Sequence, residues 1–370
     1  MNASKLSIRA HFRERHVGLP STATKRPTVV RRIAPFVMLS TAFLAITLEF
    51  APAQGAENPG TLQDRPAVVL PWADQAAILG TARAGRRIVG VGNHGVVLLS
   101  DDDGRTFRQA KAVPTRATLT SVSFINEREG WSVGHSSVIL HSVDGGESWQ
   151  VQRRDTSVDR PLFSVLFLDS KQGLAVGLWA QVLRTTDGGA SWQAVDLSAL
   201  AGGKKFDKNL FSLFRDPSGA VYVAAEHGVV LKSGDGGRTW SSLDTGNSGS
   251  FWTGLVTKEG ALLVAGLRGR LFRGEAAGTR WSEVATGTKS SITGVVQLSS
   301  GKILSVGLDG VMLESEDDGR SFKPTAGDSR PALSAVVENA LGEAVFFSEQ
   351  GPWVLTAAAQ ISDKEVGKAR

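Results

Sequence analysis

Residues 130–149 read GWSVGHSSVILHSVDGGESW, and residues 173–192 repeat the pattern as GLAVGLWAQVLRTTDGGASW. Each stretch contains two short β-rich runs joined by a turn. A second turn follows the second run and ends in Trp. The central heptad of this pattern aligns without a gap in seven copies, which begin at Gly92, Gly134, Gly177, Ala225, Gly266, Gly307 and Ser348. Successive copies are 42, 43, 48, 41, 41 and 41 residues apart. Such a period is typical of repeat architectures, whose units bury their apolar faces against their neighbours.

A second signature, S/T-x-D-x-G-x-S/T-W/F, follows the heptad. It occurs at residues 100–107, 142–149, 185–192, 233–240 and 315–322, while the copy near Gly274 to Trp281 is degenerate and the seventh unit lacks it. The Asp can accept backbone N–H bonds inside the turn, the Gly permits a positive φ, and the aromatic residue packs back on the sheet. This is an Asp-box, a hairpin that stabilises a fold. We therefore predict a structural role for Asp102, Asp144, Asp187, Asp235 and Asp317.

Four strands per unit and seven units predict an all-β fold, a seven-bladed β-propeller of four-stranded antiparallel blades. The seventh unit supplies three strands, while Pro66–Leu70 precedes the first unit with nothing to pair. We expect this N-terminal strand to complete the last blade and remove an open sheet edge. The predicted organisation is a signal peptide or leader over residues 1–53, a linker over 54–65, the propeller over 66–357 and a disordered tail over 358–370.

The basic residues are concentrated in the leader. The chain has 41 Lys and Arg against 36 Asp and Glu, a formal net charge of +5. Residues 1–53 contain eight of the basic residues and two of the acidic ones, so the remainder carries a charge close to −1. A nucleic-acid partner needs positive charge on the folded domain, and this balance does not favour one. Because the chain has no cysteine, disulfides, thiolate metal sites and a cysteine nucleophile are excluded.

The leader has the features of an export signal. Arg31 and Arg32 precede an apolar run from Ile33 to Leu48, and residues 51–53 (APA) form a small-x-small site at which cleavage would leave Gln54 first. The alternative is an uncleaved anchor, although the run of 16 residues is shorter than the roughly 20 that span a bilayer. We expect an exported protein, located in the periplasm or, in a phototrophic host, in the thylakoid lumen.

The second and third positions of each heptad form a turn that should open beside the channel of the propeller; we call this side the heptad-turn face. Turns favour polar residues in any case, but loops on a rigid scaffold also carry recognition. We predict that this face binds a partner through Asn93, His94, His135, Trp179, Glu226, His227, Arg268, Asp309 and Glu349. The histidines among them come from units one, two and four, which does not favour a metal site. No metal, cofactor or nucleic acid is expected, and we expect a monomer.

A glycosidase is the main catalytic alternative, because Asp-box propellers include sialidases. Sialidases use a tyrosine nucleophile. The single tyrosine, Tyr222, falls at a strand position that other units fill with packed residues such as Trp131. A carboxylate pair drawn from Glu226, Asp309 or Glu349 could serve another hydrolase. The alternative interpretation is therefore an exported glycan-binding or glycoside-hydrolysing Asp-box propeller, and we predict no catalytic residue.

The units at residues 130–149 and 173–192 resemble the photosystem II assembly and stability factor family, and the similarity covers nearly all of the region after the leader. The resemblance implies an exported or lumenal propeller that is not an enzyme and that binds a newly made reaction-centre membrane protein. Relatives also occur in bacteria that do not photosynthesise, so the motif specifies the fold more closely than the partner. We expect the partner to be a membrane protein or its assembly intermediate.

Overall fold

A computed structural model describes residues 62–275, 278–325, 331–348 and 350–355, all within one compact unit, Glu57–Arg370. Among these residues, 27 β-strands form seven antiparallel sheets, six with four strands and one with three. In every sheet the strands follow one another in chain order, so each blade is a meander joined by short turns. The predicted all-β, seven-bladed propeller is confirmed. No helix in the described ranges is long and apolar enough to cross a bilayer.

The blades are numbered from the N-terminus, and each runs from its innermost to its outermost strand. Blade one comprises β1 (Ile78–Ala84), β2 (Arg87–Gly92), β3 (Val97–Ser100) and β4 (Arg108–Gln109). Blade two comprises β5 (Leu119–Phe124), β6 (Gly130–Gly134), β7 (Ile139–Ser142) and β8 (Gln150–Arg153). Blade three comprises β9 (Leu162–Phe167), β10 (Gly173–Gly177), β11 (Val182–Thr185) and β12 (Gln193–Ala194). Blade four comprises β13 (Leu210–Arg215), β14 (Val221–Ala225), β15 (Val229–Ser233) and β16 (Ser241–Asp244).

The remaining blades follow the same order. Blade five comprises β17 (Phe251–Val256), β18 (Leu262–Gly266), β19 (Leu271–Gly274) and β20 (Trp281–Val284). Blade six comprises β21 (Ile292–Gln297), β22 (Ile303–Gly307), β23 (Met312–Ser315) and β24 (Lys323–Pro324), and blade seven comprises β25 (Leu333–Glu338), β26 (Ala344–Ser348) and β27 (Gly351–Leu355). Single 3-10 turns outside the heptads lie at Leu62–Asp64, Ala73–Gln75 and Ser198–Ala201.

Apolar side chains from neighbouring blades form the core between them. Trp131 of blade two stacks on Phe167 of blade three with ring centroids 3.4 Å apart, and both rings are buried. The same kind of layer joins the two ends of the chain, where Ile78 of blade one shares an apolar cluster with Phe347 of blade seven. Phe107 of blade one meets the Phe347 ring edge-on at 5.6 Å. The blades therefore form a closed ring.

The segment before β1 lies at the junction of the first and last blades. Leu70 packs against the apolar cluster that these blades share. The backbone N–H of Ala67 donates to the carbonyl of Val113 at 2.9 Å, and that of Leu70 donates to Gln109 Oε1 at 3.0 Å. Residues 66–70 form no assigned strand, and the completion of blade seven by this segment stays a prediction. The predicted leader, residues 54–61 of the predicted linker and the predicted tail lie outside the described residues.

A close approach of the backbone explains one heptad glycine. Gly228 has φ +71°, and a Cβ there would lie 1.9 Å from the carbonyl oxygen of Asn247, in the loop that leads to blade five. Gly246 has nearly the same φ, +72°, but a Cβ there would have no neighbour within 4 Å. Comparison of the two positions therefore separates the cost of a left-handed backbone from the cost of a collision.

Gly228→Ala is expected to lower the free energy of unfolding by about 2–5 kcal/mol, because left-handed strain and steric displacement add. Gly246→Ala is the matched control and should cost about 1–2 kcal/mol, because strain acts there alone. Urea denaturation followed by tryptophan fluorescence measures both losses. Equal losses would show that the loop yields freely to the new methyl group and would contradict the close fit.

Candidate functional site

Six heptad turns are described, and they share one geometry. In blade one the backbone N–H of Val96 donates to the carbonyl of Asn93 at 3.0 Å, and His94 and Gly95 between them have φ of 56° and 71°. Two successive positive φ values define the hairpin turn whose twist matches the flanking strands. The third heptad position is left-handed in each described copy, at His94, Ser136, Trp179, His227, Arg268 and Asp309.

These turns open on one side of the ring. Each joins the second and third strands of its blade, and the strand order is the same in every blade. One face therefore carries most of the residues proposed from sequence, spread round the ring rather than gathered in one cluster: Asn93, His94, His135, Trp179, Glu226, His227, Arg268 and Asp309. Glu349 lies outside the described residues. Partner binding by this set stays a prediction.

Blade three has a bulky residue in its left-handed turn. Trp179 and Ala180 have φ of 52° and 55°, a conformation that costs roughly 1–2 kcal/mol for a residue with a Cβ. The loop entering blade four holds the turn, because Asn209 Oδ1 accepts from the Trp179 N–H at 2.9 Å. The carbonyl of Lys208 accepts from the Ala180 N–H at the same distance, 2.9 Å. Trp179 is 47% exposed. Strain that persists in this way often marks a functional site.

Two carboxylates on the heptad-turn face accept hydrogen bonds from neighbouring residues. Glu226 accepts one hydrogen bond from the Asn209 backbone N–H at 2.8 Å and another from its side-chain amide at 2.9 Å. Asp309 accepts from the Ser290 hydroxyl at 2.7 Å. The two acids come from blades four and six and help to shape their turns. This arrangement does not favour the carboxylate pair of a hydrolase.

The central channel adds residues that the sequence pattern did not single out. In every blade the pairing of the first and second strands shifts at the second residue of the first strand. Such a shift is a β-bulge, which re-aims the side chain of the extra residue. The bulge residues line the channel at its heptad-turn end, and we call them the channel collar: Leu79, Thr120, Phe163, Phe211, Trp252, Thr293 and Ser334. The channel has a volume of about 420 Å³.

The hydroxyl groups of the collar donate hydrogen bonds to backbone carbonyls of the propeller. The Thr120 hydroxyl donates to the carbonyl of Leu162 at 2.6 Å, and the Thr293 hydroxyl donates to that of Leu333 at 2.7 Å. Both bonds tie one blade to the next. The Ser334 hydroxyl donates to a strand carbonyl of its own blade at 3.1 Å. The collar contains no charged side chain, and the lining of the channel as a whole is mainly polar.

Exposed apolar side chains collect on the same side of the ring. Among the described residues, Val143, Val151 and Leu341 lie elsewhere. The others belong to the heptad turns, to the collar or to segments that lead into first strands: Val68, Val69, Trp72, Leu79, Val158, Trp179, Leu267 and Leu308. A groove of about 490 Å³ beside His94 is lined largely by members of the segment before β1. Exposed apolar patches of this kind mark interaction surfaces.

The Asp-box turns lie at the opposite end of the blades, between the third and fourth strands. In blade six, Asp317 Oδ1 accepts from the Ser315 hydroxyl at 2.8 Å and from the Ser321 N–H at 2.9 Å, while Oδ2 accepts from the Ser321 hydroxyl at 2.6 Å. The same three bonds recur at Asp102, Asp144, Asp187 and Asp235. The Ser321 hydroxyl contributes most to lowering the pKa of Asp317 to about 2. These bonds support the structural role predicted for the aspartates.

Tyr222 has the surroundings of a core residue. It is 1% exposed, and its hydroxyl donates to Asp216 Oδ2 at 3.2 Å. Burial, together with the charge of Asp216, raises the pKa of Tyr222 to about 12. A tyrosine that is enclosed and hard to ionise is a poor nucleophile. Within the described residues, no group of three or more His, Asp or Glu side chains is placed to hold a metal ion.

Comparison with known proteins identifies the family of this chain. A family model described as photosynthesis system II assembly factor YCF48 matches residues 109–273 and 151–321, which together run from the last residue of β4 in blade one to the turn between β23 and β24 in blade six. The chain belongs to the YCF48 family. The photosystem II assembly protein Ycf48 of Thermosynechococcus vestitus is 38% identical over 42 residues. Those residues are 11% of this chain and 12% of that relative.

Solved YCF48 structures share the fold. One described as YCF48 bound to D1 peptide has a TM-score of 0.63 at 20% identity, over 77% of this chain and 94% of that one. YCF48 from Cyanidioschyzon merolae has a TM-score of 0.61 at 16% identity, over 74% and 92% of the two chains. The WD40 propeller domain of Doa1 also reaches 0.61, at 12% identity, over 80% and 98%. Identities this low show the architecture alone.

Asp317→Asn should destabilise this YCF48 family member at neutral pH and reduce the acid sensitivity of its stability. The folded-state pKa of Asp317, about 2, lies below the usual 3.8 of an aspartate side chain. The carboxylate therefore stabilises the fold above about pH 4, and this contribution is lost as the pH falls towards 2. Thermal unfolding between pH 2 and 7 measures it. Glu316→Gln is the control, because Glu316 lies in the same turn and is 75% exposed; the same acid profile in both variants would contradict a specific role for Asp317.

Tyr222→Phe should lower the free energy of unfolding by about 1 kcal/mol, the usual worth of one hydrogen bond. Asp216 keeps its bonds from the Ser218 hydroxyl and the Ala220 N–H, so its carboxylate is not left unpaired. Denaturation curves of the two proteins measure the difference. Retained folding together with loss of a glycan-cleaving activity would instead give Tyr222 a catalytic role.

Proposed function

We propose that this chain is an exported, non-enzymatic propeller that binds a membrane protein, or an assembly intermediate of one, through the heptad-turn face. Membership of the YCF48 family supports an assembly-factor role. The similar structure described as YCF48 bound to D1 peptide supports a peptide segment as the ligand. We further propose a periplasmic location, or the thylakoid lumen in a phototrophic host, and a monomeric protein that needs neither nucleic acid nor cofactor.

The observation that carries the proposal is the asymmetry of the two faces. The heptad-turn face combines exposed apolar residues, such as Trp179 and Leu267, with the mouth of the channel. The opposite end carries the Asp-box turns, whose polar groups are largely engaged with one another. Loops on a rigid scaffold commonly carry recognition, and contiguous apolar surface favours a protein partner.

A non-enzymatic role fits the chemistry of the described residues. Tyr222 is buried, and the carboxylates of Glu226 and Asp309 accept hydrogen bonds from Asn209 and Ser290 in the loops that enter their blades. No observation in the described part of the chain favours the glycan-binding alternative.

Substitution by Asn at the left-handed turn positions should abolish partner capture without unfolding the protein. The set is His94→Asn, Trp179→Asn, His227→Asn, Arg268→Asn and Asp309→Asn. Asn tolerates a left-handed backbone better than most residues, so Trp179→Asn in particular should be at least as stable as the parent. Crosslinking in membranes of the native host, followed by pull-down and mass spectrometry, measures capture, with the processed N-terminus checked by intact mass.

Leu341→Asn is the control for the pull-down, because Leu341 is exposed on the other side of the ring. The proposal expects one membrane protein to be recovered with the parent chain and with the control but not with the turn variants. Recovery that is unchanged in all turn variants, with their thermal unfolding also unchanged, would refute binding through the heptad-turn face. Binding or release of a sugar on a glycan panel, with no membrane protein captured, would support the carbohydrate interpretation instead.

A further inference from the structure

The groove beside His94 combines an apolar wall with a cationic group. Most of its lining residues are apolar, and most of those belong to the segment before β1: Val68, Leu70, Trp72, Ala73, Ala76 and Val96. The others are Gln75, His94 and Arg116, so no carboxylate is among its described lining residues. Val68 is 46% exposed and Trp72 is 58% exposed. A ligand that removed this apolar surface from water would gain free energy.

Two arginines accompany the apolar wall. Arg116 Nε donates to a carbonyl of the segment before β1 at 2.9 Å, which holds the guanidinium at the groove. Arg65 lies in the same segment and is exposed. Neither arginine forms an ion pair within the described ranges, whereas Asp64 is paired with Arg154 at 2.9 Å. The exposed Asp74 is outside the lining. Guanidinium groups beside an apolar wall favour an anionic amphiphile, because they pair well with phosphate.

The backbone of this segment is poorly suited to bind an extended peptide. Gln109 Nε2 donates to the Val68 carbonyl at 2.9 Å, and Gln109 Oε1 accepts from the Leu70 N–H at 3.0 Å. The Leu70 carbonyl accepts from the Ala73 N–H at 3.2 Å, and Pro71 has no N–H to donate. Addition of a peptide strand requires a row of available backbone groups. A lipid acyl chain requires only apolar surface, so the groove favours a lipid.

The same segment is the part of the propeller nearest in sequence to the leader. Val68 lies 20 residues after Leu48, the last residue of the leader's apolar run. Tryptophan and basic side chains beside apolar ones are typical of protein surfaces that lie in the headgroup region of a bilayer. Proximity to the bilayer during export rests on the proposed function, while the groove and its cations do not.

We propose that the groove beside His94 is a lipid-binding site. The segment before β1 lies in the headgroup region of a bilayer that contains anionic phospholipid. Acyl-chain carbon covers Val68 and Trp72, and lipid phosphate pairs with Arg116 and Arg65. This contact goes beyond the proposed function, since it turns the heptad-turn face towards the bilayer that holds the partner.

Vesicle binding by the full processed chain tests the proposal. The probes are vesicles of phosphatidylcholine alone and vesicles of equal parts phosphatidylglycerol and phosphatidylcholine. Flotation should show binding about tenfold tighter or more to the phosphatidylglycerol vesicles, because two arginines lie near the anionic surface. Added salt should weaken this preference, whereas inorganic phosphate at matched ionic strength should not compete. Equal binding to both vesicles, or no binding by the folded parent chain, would overturn the proposal.

Variants of the protein locate the site. Val68→Glu should weaken binding to phosphatidylglycerol vesicles about tenfold or more, because a carboxylate replaces apolar surface beside anionic lipid. Leu341→Glu adds the same charge on the other side of the ring and should leave binding unchanged. Arg65→Gln with Arg116→Gln should abolish the preference for phosphatidylglycerol. Equal loss in Val68→Glu and Leu341→Glu, with both proteins folded by thermal unfolding, would contradict a site in this groove.

Tryptophan fluorescence gives the depth of insertion. Phosphatidylglycerol with brominated acyl chains quenches indoles that lie close to the chains. Trp72→Phe should remove most of the quenching and retain vesicle binding. Trp179→Phe is the matched control, because Trp179 is also exposed on the heptad-turn face, and it should leave the quenching in place. Quenching that survives in Trp72→Phe and is lost in Trp179→Phe would place the lipid elsewhere and overturn the proposal.

The membrane pull-down separates this inference from the proposed function. Capture retained by Val68→Glu after its loss of vesicle binding would support a lipid site distinct from the partner site. Capture lost in Val68→Glu, with no vesicle binding by the parent chain, would assign the groove to the partner protein and overturn the lipid proposal alone. A dimer that dissociates in Val68→Glu, seen by analytical ultracentrifugation without vesicle binding, would assign the groove to a second copy and also overturn it.

Discussion

The fold depends on apolar contact between each blade and the blade before it. A four-stranded sheet exposes two faces, and a single blade could not bury either of them alone. The Asp-box turns contribute directly, because an added Cβ at Gly237 of blade four would collide with Leu174 of blade three, at 2.4 Å. The corresponding position in blade one, Gly104, would meet Val345 of blade seven at 2.8 Å. The contact that joins internal blades therefore also joins the ends of the chain, and the ring closes by repetition of one interface.

The closed ring has two ends, the Asp-box end and the heptad-turn end, and their side chains differ in character. The Asp-box end is rich in short, internally satisfied hydrogen bonds, and the carboxylates there favour the folded state above about pH 4. The heptad-turn end holds left-handed residues that are not glycine, exposed apolar side chains and the collar. The loop that enters blade four holds the strained turn at Trp179. Recognition can vary at this end without loss of the core.

Much of the architecture was predictable from the period of the sequence. Seven heptads at nearly constant spacing required seven equivalent units, and the alternation of apolar residues required strands. The common side of the turn residues followed as well, since equivalent turns in equivalent blades must open in the same direction. The local role of each turn residue was not predictable: Glu226 is bound by Asn209, and Trp179 is held by the loop that carries Lys208. Those partners come from loops whose paths depend on how adjacent blades meet.

The sequence by itself therefore determined the unit, the number of units and the face on which the heptad turns lie. Only the tertiary structure revealed the channel collar. The doublets Leu162-Phe163, Leu210-Phe211 and Phe251-Trp252 break the alternation of their strands, but a doublet alone does not say which side chain enters the core. The β-bulge decides it, because it leaves the first residue of each pair buried between blades and turns the second towards the channel. That choice depends on the register that neighbouring strands adopt once the ring has closed, and register is a property of the assembled sheet.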